Sequence, residues 1–415
     1  MEKDNKNSVD TSDEPKLGVE EQLEKQSQAL RHKKTDGPQK KYLDLSFSWP
    51  MLIIIGLATY GIAYAVGKTA KVNTASILWF IVISYLLAIV IYNLGKIIFG
   101  YIAGYKIALI EILGFQFNFA GKKFKFRFLL KNIFELHLKM MPRKLDANPL
   151  LMLFGGTIFY ALIAIILIVL TPVLFSGVST IYIYYGCAMG ALIVLYEMLP
   201  VKLDVFNDMY YIIIINKEKG KTLFNRLLLA QAQERAGEFV DDFKLDSVKD
   251  SRLKPETLLY KLRKEILNRD YKGAMKTVNE INYYSLYLCD QTKVEALYEQ
   301  MYVYLVQGYS KEAEKLILVL EKKAKNSADL FSTPYSARTE ILIAGLVDNS
   351  LEQVLTKRNA FITQCRYFGP TDCVKKNIEL AQKGIDKIKL THPNWKIYDL
   401  PNNMFEVNKQ EDDED

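Results

Sequence analysis

Four stretches of this 415-residue chain, at about residues 48–67, 76–101, 148–175 and 179–200, stay apolar for long enough to cross a hydrocarbon core, which takes roughly 20 residues of helix. They predict a mainly α, multi-pass membrane protein. A shorter run, "VFNDMYYIIIIN" at 205–216, is a candidate for a fifth, partly inserted helix, and its Asn207 and Asp208 argue against a lipid-facing position. Lysine and arginine crowd the N-terminal arm, the 106–147 segment and the sequence after 200, whereas "GKTAKVNTA" and "SGVST" between the other runs carry at most two lysines. By the positive-inside rule both termini and the 106–147 segment are expected in the cytoplasm of a cell-membrane protein. That topology accounts for most of the net charge of +7, and no basic stripe with interleaved aromatics points to nucleic acid as a partner.

Residues 1–41 hold almost no large apolar groups and read as a disordered cytoplasmic arm. There is no short basic region followed at once by an apolar core and a small-residue cleavage site, so no removable signal peptide is expected. The four cysteines (187, 289, 365, 373) lack a C-x-x-C spacing and read as incidental thiols.

The second apolar run ends in "IYNLGKIIFGYIAG", which puts Tyr92, Asn93 and Lys96 on adjoining turns of one helix. An ionisable group in a membrane helix either snorkels to the interface or faces the protein interior, where it has a partner and marks a site. Downstream, "IALIEILGFQFNF" and "KKFKFRFLL" alternate apolar and polar residues around "AGKK", a hairpin signal, and "ELHLKMMP" is a candidate further strand. A small sheet near the membrane is therefore expected over 106–143.

In order along the chain these features resemble the site-2 protease (M50) family of intramembrane metallopeptidases. The family's H-E-x-G-H falls on Tyr92-Asn93-Leu94-Gly95-Lys96, and the small residue and glycine that follow it fall on Gly100 and Gly104. The small-residue start of its next membrane helix resembles "FGGTIFYALIAIIL", and its N-x-x-P…L-D-G motif resembles "EMLPVKLDV", with Asp204 at the third zinc-ligand position and Glu197 where the family has asparagine. The resemblance covers about residues 48–215 and implies zinc, yet the ligands are replaced. Tyrosine is a poor zinc ligand at neutral pH, an ammonium repels the cation, and an amide cannot act as a general base. His32, His137 and His392 all lie outside the membrane runs. No metal or other cofactor is therefore expected. A buried ion pair of Lys96 with Asp204 or Glu197 is expected in place of the metal.

After about residue 217 the chain turns to amphipathic helices with polar turns. A helical linker is expected over 217–254, a helical domain over 255–395 and an acidic tail over 396–415. "NRDYKGAMKTV" and "VQGYSKEAEKLIL" match the turn and second-helix start of the tetratricopeptide pattern, with Tyr271, Ala274, Gly308, Tyr309 and Ala313 as binding-domain positions and a third, weaker unit at "GLVDNSLEQVLTKRNAF". A plain helical bundle is the alternative. The expectation for the whole, over a membrane core at 42–216, is a pseudoprotease. It would hold a membrane protein or peptide client in the bilayer and recruit a cytoplasmic protein through its repeats. The alternatives are an active divergent M50-type metallopeptidase, drawing on Asp204, Asp208 or Glu197, and an accessory subunit of a membrane transport complex.

Overall fold

The computed structural model describes residues 48–121, 124–128, 136–201, 206–217, 220–238, 251–284, 288–324, 333–402 and 404–405. The four apolar runs form helices α1 (Ser48–Ala70), α2 (Thr74–Ile102), α3 (Pro149–Leu174) and α4 (Val178–Met198), each long and apolar enough to cross a membrane. Asn73 and Asn148 start α2 and α3 by accepting the backbone N–H of Ser76 and Leu150, so the first turns do not leave all their donors unpaired. α2 is the centre of this half and packs against both α3 and α4, while α1 packs on α4.

Small residues set the α2–α3 crossing. A Cβ on Gly95 would lie 2.6 Å from the Gly155 carbonyl oxygen and 2.5 Å from the Phe159 Cβ. Between helices in lipid, where burial of apolar surface gives little drive, such close backbone approach is a main source of attraction.

The segment between α2 and α3 is a sheet. Strands β1 (Tyr105–Ile112), β2 (Phe115–Asn118), β3 (Lys125–Phe128) and β4 (Leu136–Pro142) run antiparallel in the order β3-β2-β1-β4. The expected hairpin around "AGKK" joins β2 to β3. The first quoted stretch is itself a second hairpin, closed at Leu113 and Gly114, both at positive φ, as a two-residue turn with the twist of the strands requires. The "ELHLKMMP" strand is β4.

The candidate fifth helix is α5 (Asp208–Lys217), whose 10 residues rise only about 15 Å and cannot span a bilayer. Tyr210, Ile212, Ile214 and Ile215 are buried in a core shared with Tyr105 and Met140 of the sheet, Met152 of α3, and Phe224 and Leu227 of α6 (Lys221–Ala236). Asn225 fastens α6 to the membrane half. It donates to the carbonyls of Leu145 and Ala147, both at 2.9 Å, and accepts from the Tyr105 hydroxyl.

Beyond residue 250 come α7 (Lys254–Leu267), α8 (Tyr271–Tyr283), α9 (Asp290–Gln307), α10 (Ser310–Ala324), α11 (Pro334–Leu346), α12 (Leu351–Phe368) and α13 (Asp372–Thr391). They pair as α7–α8, α9–α10 and α11–α12, with α9 lying between α7 and α11 and α13 closing on α11. The three pairs share a local plan. A residue at positive φ (Arg269, Gly308, Asn349) stands two positions before each second helix. The fourth residue of that helix (Ala274, Ala313, Val354) is fully buried. Residues 396–402 and 404–405, which the sequence pattern assigned to the tail, pack on this array through Ile397, Leu400 and Met404. The terminal "EDDED" lies outside the described residues, as do residues 1–47.

Candidate functional site

A helical spacing of four puts Tyr92 and Lys96 on one face of α2, and that face meets the start of α5. Both donate to one carboxylate: the Tyr92 hydroxyl to Asp208 Oδ2 at 2.8 Å, and Lys96 Nζ to Asp208 Oδ1 at 2.8 Å, with Oδ2 2.7 Å from the same nitrogen. The ammonium also lies 5.7 Å from the centre of the Tyr92 ring. Tyr92 is buried, and the side chains of Lys96 and Asp208 are only 16% and 10% exposed.

Asp208 is held from behind. Asn207 caps α5 by accepting the N–H of Tyr210 at 3.2 Å, accepts that of Val201 at 3.1 Å, and donates to the carbonyls of Tyr196 and Leu199 at 2.7 and 2.6 Å. Every polar atom of that amide is thus used to tie the end of α4 to the start of α5. Glu197 Oε2 accepts the backbone N–H of Asp208 at 3.2 Å, a second acidic group at the positive end of α5. Asn93 turns away and donates to the Ile89 carbonyl of its own helix at 2.9 Å.

Of the sequence-predicted residues, Tyr92, Lys96 and Glu197 therefore converge, Asn93 stands aside, and Asp204 lies outside the described residues. The partner of Lys96 is Asp208, four positions after the aspartate the motif suggested. The readable signal was Asn-Asp directly ahead of an apolar run, which is a helix start, so the carboxylate belongs at a fixed helix end. His137 lies on β4, and His392 Nε2 is 3.0 Å from the Gly345 carbonyl with its ring stacked on Trp395, so it serves packing in the helical array.

The residues present do not fit the zinc that the family resemblance implies. The Asp208 oxygens face a phenol and an ammonium that both donate to them, so a cation entering there would meet a fixed positive charge. Among the described residues there is no group of three or more His, Cys, Asp or Glu side chains placed to hold a metal. What the arrangement does is cross-link α2 and α5 by charge. Removing one member of such a buried pair strands the other and costs several kcal/mol, on the order of 3–5.

The helical array carries a second buried charge system that the sequence reading missed. Arg263 of α7 donates to Glu234 of α6 and, on α9, to Glu295 at 2.9 Å and Glu299 at 3.1 Å. Glu299 also accepts from Arg338 of α11, which reaches Asn377 of α13. The ring of Tyr335 lies against both guanidiniums, and that of Tyr302 against Arg338. Residues 263, 299 and 338 thus form one line through the first helices of the three pairs, ended by Asn377 on α13.

Comparison of the chain with protein-family models, curated proteins and solved structures found no match.

Proposed function

We propose that this chain is a non-hydrolytic membrane scaffold of the site-2 protease type, a pseudoprotease that holds a membrane protein or peptide against its α2–α5 junction and recruits a protein through its helical array. The observation that carries it is the Lys96–Asp208 pair with Tyr92. Tyr92 and Lys96, at two of the motif positions for zinc ligands, are engaged in joining two helices, and Asn93, at the position of the base, cannot take a proton from water. The topology belongs to this reading. It puts both termini and the helical array in the cytoplasm, and the lysine-rich flanks of the four apolar helices support that orientation. The tetratricopeptide-like assignment draws support from the three helical pairs with their repeated turn and buried small position, and such arrays offer extended surfaces for a partner's peptide. The transport-subunit alternative would have drawn support from a helical 106–143 segment, and the described part of that segment is a sheet.

The test uses the full chain in proteoliposomes with single-pass membrane peptides. A photo-crosslinking residue at Ile89, partly exposed and on the same face of α2 as Tyr92 and Lys96, is expected to capture a peptide that mass spectrometry shows to be uncut. Specific cleavage would overturn the non-hydrolytic reading. Adducts to lipid alone would overturn the client-holding one.

A further inference from the structure

The sheet is inside out by the standard of a water-soluble protein. Its registers put Glu111, Gln116, Asn118, Lys125 and Arg127 on one face and Ile110, Ile112, Phe115, Phe117, Phe126 and Phe128 on the other. The polar face is the covered one. Gln116 and Asn118 are each 3% exposed, Asn118 donates to the Arg235 carbonyl at 2.9 Å, Lys125 donates to the Phe368 carbonyl at 2.6 Å, and Arg127 reaches Gln364 at 3.3 Å with its guanidinium over the Tyr367 ring. These bonds dock the sheet on the ends of α6 and α12.

The apolar face is open. Phe115, Phe119, Phe124, Phe126 and Phe128 are 42–59% exposed, and with Phe117 they form one zip of rings whose successive centres lie 4.9–6.4 Å apart. In water a contiguous apolar patch of this kind marks a binding surface, and the alternation of a half-buried strand runs polar outward. In lipid the sign of the alternation reverses.

We propose that this phenylalanine face is embedded in the headgroup–acyl boundary of the bilayer, as a monotopic membrane contact beside the four spans. Two observations choose lipid over a protein occupant. First, β1 begins three residues after α2 ends, and the exposed Ile98, Tyr101 and Ile102 there continue the apolar surface from the span into the sheet. Second, exposed Lys106, Arg143 and Lys144, at the end of the sheet that adjoins α2, supply cationic groups of the kind that meets anionic headgroups at such a boundary. Strands of four to eight residues are too short to span, so shallow insertion is the geometry that fits.

The test is depth-resolved fluorescence on the full chain in nanodiscs containing anionic lipid. Trp49 and Trp79 of α1 and α2 are replaced by Phe, and Trp395, in the helical array, remains as reference. Adding Phe126→Trp should create emission that loses about half its intensity in discs made with lipids brominated near the top of the acyl chain, while the reference emission is unchanged. Phe119→Trp serves the same purpose if F126W is not monodisperse. An F126W or F119W indole that is not quenched in a folded chain overturns the proposal. Crosslinking of a Phe126→Cys variant between two copies would then identify a second chain as the occupant.

Discussion

Two buried charge systems among the described residues differ in how they are arranged. In the helical array the charged residues follow the repeat: from Arg263 to Glu299 and Arg338 the line advances by one helical pair at each step, each on the first helix of its pair, and it ends on Asn377 of the closing helix α13. In the membrane half the single Lys96–Asp208 pair follows no repeat and joins a span to a short helix that cannot itself cross. Charge that recurs with the architecture serves the architecture. Charge that occurs once, where lipid makes it costly, marks a site.

The largest expected effect lies in the line. Arg338 is fully buried, and Arg338→Met takes the donor from Glu299 Oε2 and from the Asn377 side-chain oxygen, leaving Glu299 only Arg263, so we expect a loss of about 4 kcal/mol, seen as unfolding of the helical array at lower denaturant while the spans hold. Equal loss in both halves would break the distinction. Lys96→Met should cost about 3 kcal/mol by leaving the Asp208 carboxylate facing only a phenol, and Asp208→Leu in the same chain should recover most of it. Additive effects in that double-mutant cycle would show that the two residues do not act as a pair. Gly95→Ala should cost about 1–3 kcal/mol, because its methyl meets the Gly155 backbone and Phe159 and must push α2 from α3. An unchanged melting temperature would place the α2–α3 contact elsewhere.

The last effect is spread over pH and is confined to the array. Glu234, Glu295 and Glu299 share two guanidiniums, and burial pushes Glu234 up to about 7, with the neighbouring carboxylates adding to the rise and Arg263 opposing it. A carboxyl whose folded pKa is raised binds more protons folded than unfolded, so stability should fall as pH rises from about 4.5 to 7, by at most about 1.4 kcal/mol per unit. Glu234→Gln should flatten that slope in a pH series of denaturant melts. If the slope survives, another group carries it.

The spans were readable to within three residues at either end because length and hydropathy decide them with no help from tertiary contacts. The sheet was readable from alternation, but not which face would be covered, since alternation reports two faces and is silent about the solvent on each. The third helical pair read weakly because its turn and small position use Asn349 and Val354 where the second pair has Gly308 and Ala313. Nothing local to Arg263, Glu299 and Arg338 separates them from the surface charges of an amphipathic helix, and only the recurrence through α7, α9 and α11 gives them away. Asp208 was hidden by a motif: Leu-Asp at 203–204 matched the family pattern, while the helix start at Asn207 decided where a carboxylate could be held against Lys96.

The measurement closest to the central claim is the metal content of the purified full chain beside that of its Tyr92→His, Lys96→His variant, by mass spectrometry. With the ammonium and phenol replaced by imidazoles on the same helix face, Asp208 would complete a three-ligand set, so the native protein should be free of bound metal and the variant should take up about one zinc. Stoichiometric metal in the native protein, or a folded variant that binds none, would contradict the view that a charge pair stands where a metal site would.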